Sequence, residues 1–120
     1  MPLSTGGAEV SKYGNRKVQI GDKVFDSLKE ARRYGELSML QKGGYITGLE
    51  TQKKFVLIPS QRDERGRLVE RECSYRADFV YTDTDTGKTI VEDTKGFRTE
   101  GYKIKKKLLL FTHGIRIKEV

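Results

Sequence analysis

Two stretches of strict alternation on either side of a turn constrain this chain more than any other feature. Tyr75, Ala77, Phe79 and Tyr81 alternate with Ser74, Arg76, Asp78 and Val80, the pattern of a strand whose successive side chains leave opposite faces. The segment 83–87, Asp-Thr-Asp-Thr-Gly, is turn material, and beyond it Thr89, Val91, Asp93 and Lys95 alternate with Ile90, Glu92 and Thr94. These patterns predict an antiparallel hairpin. A hairpin of this kind needs cover on its apolar face, and the rest of the sequence must supply it.

The remaining elements follow from local signals. Residues 17–25 read as two short strands around Gly21-Asp22. Ser27-Leu-Lys-Glu30 matches a capping box, and Ala31, Tyr34, Leu37 and Leu40 recur at helical spacing until Gly43-Gly44 stops the helix. Residues 49–58, ended by Pro59, read as extended chain, split into two strands near Lys53-Lys54. The charged stretch 61–72 reads as a loop or hairpin tip. Residues 99–112 predict a second helix closed by Gly114, and 115–120 a last short strand. The predicted class is α/β, a mixed central sheet flanked by helices. Residues 1–15, rich in Gly and Ser and without a period, are expected to form an arm ahead of a single domain over 16–120.

Composition removes several classes of function. One Cys and one His among 120 residues cannot build a disulfide scaffold, a four-ligand zinc site or a two-histidine catalytic centre. Catalysis, if present, must rest on carboxylates and Lys. The longest apolar run, 108–111, is too short to cross a membrane, and no signal peptide is evident, so a cytoplasmic protein without a membrane partner is expected.

The charge is uneven. Residues 1–94 hold 16 basic and 15 acidic side chains, whereas 95–120 hold 8 basic and 2 acidic, so the net +7 belongs almost wholly to the C-terminal quarter. Lys103, Lys105, Lys106 and Lys107, with Lys95 and Arg98, form a candidate phosphate-contact surface, to which Arg16 and Lys17 of the N-terminal region could add. The competing reading of the Lys run is an ordinary solvated helix face.

Asp93 and Lys95 share a face of their strand. With an even-length hairpin loop, Asp78 joins them: one register opposes it to Asp93, another to Lys95, and only an odd loop or a bulge separates them. Paired carboxylates repel unless a cation compensates, and Mg²⁺ suits hard carboxylate oxygen. Lys95 could then hold or help deprotonate a water, or stabilise charge on a phosphate. The bland reading is a surface salt bridge. Glu30 is open in the same way: as N3 of the capping box it serves the helix start, and if the first helix lies over the hairpin it could be a further ligand. Glu92 points to the face opposite Asp93. His113 is expected to interact with the dipole at its helix end, and Tyr34 and Tyr102 to lie in the core.

Glu30 in FDSLKEARRYGEL, Asp78 in YRADFVY and Asp93-Thr94-Lys95 in IVEDTKG together resemble the PD-(D/E)XK nuclease superfamily, with Ala77 at the place of its Pro. The run KYGN, FDSxxEAxxYxxL, ADFVY and VEDTKG is similar to a small phage-encoded family of unknown function, related to Holliday junction resolvase-like endonucleases. The resemblance spans roughly residues 12–120. It implies a restriction-endonuclease-like core, Mg²⁺ or Mn²⁺, and cleavage of DNA, branched or flapped, by a homodimer in the cytoplasm of a host bacterium. It implies Asp78, Asp93 and Glu30 as metal ligands with the Thr94 carbonyl, and Lys95 as the catalytic lysine; Gln52, which is not matched to a motif of the family, could be a neighbouring polar group. The alternative is a non-catalytic nucleic-acid-binding or host-inhibiting phage protein that retains the fold.

Overall fold

A computed structural model describes residues 17–94 and 97–120. The expected arm over 1–15, Arg16 and Lys95 lie outside the described residues. The chain divides into two compact units, up to Ile46 and from Thr47.

The first unit begins with β1 (Val18–Ile20) and β2 (Lys23–Phe25), paired antiparallel with Val18 opposite Phe25. Gly21, at φ +62°, takes the left-handed conformation that a two-residue hairpin loop requires. Helix α1 (Leu28–Lys42) starts where the sequence predicts: the Ser27 hydroxyl accepts the Glu30 amide at 3.1 Å, satisfying one of the donors that a helix start leaves open. Ala31 and Leu37 are buried, and Tyr34 packs on Phe25 with ring centroids 5.0 Å apart. The helix ends in a Schellman turn in which Tyr45 N–H reaches the Leu40 carbonyl and Gly44 adopts φ +83°.

The second unit is built on a four-stranded mixed sheet in the order β3-β6-β7-β8, from β3 (Ile46–Ile58), β6 (Cys73–Asp83), β7 (Thr89–Asp93) and β8 (Lys118–Glu119). β6 and β7 pair antiparallel and β7 and β8 parallel, so the expected mixed α/β class holds. β4 (Gln61–Arg62) and β5 (Leu68–Glu70) form a small separate hairpin within the charged 61–72 stretch. Its tip is organised by Asp63, whose Oδ1 accepts the amides of Arg65 and Arg67.

Two boundaries differ from the sequence reading. β3 is one continuous strand rather than two, and it begins at Ile46; the irregularity expected near Lys53 is a backbone excursion at Gln52, φ +54°, which the strand absorbs without ending. The final strand is shorter than 115–120, because only Lys118 and Glu119 pair with β7 while Ile117 turns into the core. Helix α2 (Glu100–His113) agrees with expectation, with Thr99 capping the Tyr102 amide and Gly114 closing it at φ +68°.

Helix α2 covers one face of the sheet. Tyr102 and Leu109 pack with Leu57 of β3, Tyr75, Ala77 and Val80 of β6, Val91 of β7, and Ile117. Tyr75 and Val80 both face α2 although five positions apart, so the alternation of β6 slips by one residue between them. His113, in the last turn of α2, sets its ring 5.9 Å from that of Phe55.

Candidate functional site: a carboxylate pair beside a basic helix

The turn between β6 and β7 decides the register. Asp83 Oδ1 accepts the amides of Asp85 and Thr86, and Asp83 N–H reaches the Lys88 carbonyl, closing a four-residue loop over 84–87. The ladder then runs Thr82 with Thr89, Tyr81 with Ile90, Val80 with Val91 and Phe79 with Glu92. This even register carries Asp78 and Asp93 to the same end of the sheet, on adjacent strands.

There the two carboxylates are held by different donors. Asp78 Oδ2 accepts both the amide and the hydroxyl of Thr94 at 2.8 Å, and its Oδ1 accepts Gln52 Nε2 at 3.3 Å. Gln52 reaches Asp78 from its left-handed backbone conformation, uncommon for a residue other than glycine, and its carbonyl is tied at 2.9 Å to Arg76 Nη1. Asp93 is buried, its Oδ2 accepts the hydroxyl of Tyr75, and its Oδ1 is shut off from solvent. Burial, then the bond to Asp93 and the charges of Asp93 and Asp78, push the Tyr75 hydroxyl far above the ordinary phenol range, so it remains a donor throughout the physiological pH range.

A third acid, Glu119, was not singled out from the sequence. It pairs in register with Asp93 across β7 and β8, and it organises the basic side chains around it. Arg98 grips it with Nε and Nη2 at 2.8–3.1 Å, Lys106 Nζ lies at 3.3 Å, and the Tyr102 hydroxyl donates at 2.8 Å. These partners, Arg98 first, hold the Glu119 carboxyl down at about 2. Only the parallel pairing of a two-residue strand brings position 119 beside position 93; a Lys-Glu-Val tail carries no local signal for that.

The phosphate-contact candidates therefore separate. Arg98 and Lys106 share the single carboxylate of Glu119, and Lys103 lies 3.3 Å from Glu100 one turn earlier. Lys105 and Lys107 have no carboxylate partner among the described residues, and Lys17 is exposed. Lys105 and Lys106 are half-buried on the sheet-facing side of α2, whereas Lys103 and Lys107 are exposed, so the Lys run does not form one solvent face. Glu30 is buried in the first unit, with its amide in the cap that the sequence predicts. Glu92 lies on the sheet face opposite Asp93, with the Tyr81 hydroxyl on its Oε2 and Lys118 Nζ at 4.0 Å.

No group of three or more His, Cys, Asp or Glu side chains placed to hold a metal occurs among the described residues. A pair of carboxylates on adjacent strands still fits Mg²⁺, which keeps several waters and commonly takes one or two protein carboxylates and the oxygens of a phosphate. It does not fit a Zn²⁺ or Ca²⁺ cage built wholly from side chains.

No described helix is long and apolar enough to cross a membrane. Neither a curated protein nor a solved structure matches the chain. A family model does, over residues 10–117, which takes in α1, the β6–β7 hairpin, the carboxylate pair and α2. By that match the chain belongs to DUF1064, a family described as proteins of unknown function.

Proposed function

We propose that this protein is a Mg²⁺- or Mn²⁺-dependent DNA endonuclease of the PD-(D/E)XK type, acting on branched or flapped DNA in phage DNA processing. The observation that carries the reading is the meeting of Asp78 and Asp93 at one end of the β6–β7 hairpin, in the even register, directly ahead of Lys95. Asp78 and Asp93 would hold the cation, with the Thr94 carbonyl as a further oxygen.

A bound Mg²⁺ supplies charge neutralisation on the phosphate and a more acidic bound water. The chain supplies orientation. Thr94 and Gln52 fix both oxygens of Asp78, and Tyr75 fixes Asp93 through a hydroxyl that stays protonated, so the pair is set before substrate arrives. Lys95, next in sequence to Thr94, is assigned the stabilisation of charge on the phosphate. Lys105 and Lys107 keep their charge for the DNA backbone, as does Lys17; Lys103, Lys106 and Arg98 contribute through the carboxylates they already hold. The active form is a homodimer, which light scattering on the full chain tests.

Incubation with labelled junction, flap and linear DNA in Mg²⁺ tests the activity. Wild type should cut at least one branched substrate and Asp93→Ala should not. No cutting of any substrate, or equal cutting by both proteins, overturns the assignment.

One observation favours a second reading, a nucleic-acid-binding protein without cleavage: both oxygens of Asp78 already accept protein donors, as a purely structural acid would. Mn²⁺ that leaves the melting temperature unchanged, together with DNA binding and no cleavage, selects it.

A further inference from the structure

A cleft of about 310 Å³ opens between β6 and the first turn of α2, lined by Tyr75, Arg76, Thr99, Gly101, Tyr102 and Lys105. Its polar groups are of two kinds. The hydroxyls of both tyrosines are committed, Tyr75 to Asp93 and Tyr102 to Glu119. The charged side chains on its wall are both cations, and they come from different elements. Arg76 spends one guanidinium nitrogen on the Gln52 carbonyl, a neutral acceptor, and keeps its charge and further N–H donors without a carboxylate among the described residues. Lys105 likewise has no carboxylate partner among them, although it is half-buried and its neighbours Lys103 and Lys106 each have one.

Two like charges brought to one concave wall repel each other, and the half-buried position of Lys105 adds partial desolvation to the cost, whereas Arg76 is exposed. Arg98, Lys103 and Lys106 are each paired with one of the two acids of the C-terminal quarter, Arg98 and Lys106 sharing Glu119, whereas Arg76 and Lys105 have no acid among the described residues. An anion held between them removes the repulsion. The wall of the cleft is also the Tyr75 ring whose hydroxyl grips Asp93, so a group bound there lies one side chain from the carboxylate pair.

We infer that this cleft is a phosphate-binding subsite for a nucleic-acid strand, with Arg76 and Lys105 as its cations. The inference rests on the endonuclease reading for the identity of the polyanion. It adds which basic residues touch the strand, and it includes Arg76, which the charge pattern of the sequence did not single out. Phosphate contact at this place would lead the strand past Tyr75 toward Asp78 and Asp93.

The experiment is fluorescence anisotropy of labelled branched DNA in EDTA, over a series of salt concentrations, so that binding is read without cleavage. Lys105→Gln and Arg76→Gln should each weaken binding and reduce the slope of log affinity against log salt by about 1, one phosphate contact apiece. Lys103→Gln should change the slope less, because its charge is already paired with Glu100. Arg76→Gln also breaks the bond to Gln52, so Lys105→Gln, which breaks none, is the decisive variant, and Arg76→Lys should recover most of the slope. Wild-type slopes for Lys105→Gln and Arg76→Gln, with wild-type DNA binding intact, overturn the subsite and leave the endonuclease reading standing. A reduced slope for Lys105→Gln alongside undiminished cleavage by Asp93→Ala supports the subsite and overturns the carboxylate assignment. Absence of DNA binding by the wild type overturns both.

Discussion

Asp93 and Glu92 are neighbours in sequence, both are buried, at 1% and 0% exposure, and each accepts the hydroxyl of a tyrosine on β6. They sit on opposite faces of β7 and have different surroundings. Glu92 lies within the regular ladder opposite Phe79, with Lys118 Nζ at 4.0 Å. Asp93 lies one position past the last residue paired with β6, beside Asp78, Glu119 in register, and a cleft whose cations lack acids. The comparison teaches that a buried acid held by a tyrosine is not in itself a site. Asp78 alongside and a cation-lined cleft behind its partner Tyr75 make the Asp93 side a candidate for chemistry, whereas Glu92 has neither.

The two faces of β7 should differ most in cleavage. Asp93→Asn should lower cleavage of branched DNA by at least about 100-fold, the scale of losing a group on which metal affinity or activity depends. Glu92→Gln, where it folds, should keep cleavage within a few-fold of wild type. Similar cleavage losses in the two variants, each confirmed folded by circular dichroism, would remove the distinction between the faces.

The tyrosines sharpen it next. Tyr75→Phe and Tyr81→Phe each leave a buried carboxylate oxygen without its phenolic donor, a loss of about 1–3 kcal/mol that urea titration should find in both. On the endonuclease reading only Tyr75→Phe should also shift the Mg²⁺ concentration needed for half-maximal cleavage, since that reading gives the cation to Asp93 and not to Glu92. Equal Mg²⁺ dependence in the two variants would show that Tyr75, like Tyr81, acts in stability alone.

Acid conditions provide a smaller contrast centred on Glu119. Arg98, Tyr102 and Lys106 hold its carboxyl at about 2, below the ordinary 4.5, so the folded state binds that proton less readily than the unfolded chain. The stabilisation is complete above about pH 4.5 and is lost as pH falls toward 2. Glu119→Gln should flatten the melting temperature in that window while leaving the loss from other carboxylates. An unchanged pH profile would mean that the grip on Glu119 contributes nothing to stability.

The smallest effect belongs to the exposed pair on α2. Lys103→Ala should change stability by less than about 0.5 kcal/mol, because Lys103 and Glu100 are both largely solvated. A larger loss in chemical denaturation would place Lys103 among the structural cations with Lys106.

How far each part was legible follows from the distance over which its cause acts. The Ser27 cap, the Gly44 and Gly114 stops and the Asp83 turn are satisfied within a few residues, and the sequence alone predicts them. The four-residue loop of that turn selects the register that opposes Asp78 to Asp93 over the one that opposes it to Lys95; that an even loop would bring the acids to one face was readable from the hairpin. The slip in β6 alternation was not, nor was the continuity of β3 through Gln52, because a strand tolerates one irregular residue when its neighbours in the sheet hold it.

The sequence alone was enough for the two helices and their ends, the β6–β7 hairpin, the absence of a two-histidine or four-ligand zinc centre, and the concentration of charge after residue 94. Tertiary structure alone decided which of those charges remain available. Glu119 reaches Arg98, Tyr102 and Lys106 only because β8 lies parallel beside β7, and Lys105, without an acid among the described residues, lines the same cleft as Arg76 because α2 packs along β6. Ion pairing depends on a few ångströms between residues far apart in the chain, and that separation is set by packing, not by any local pattern.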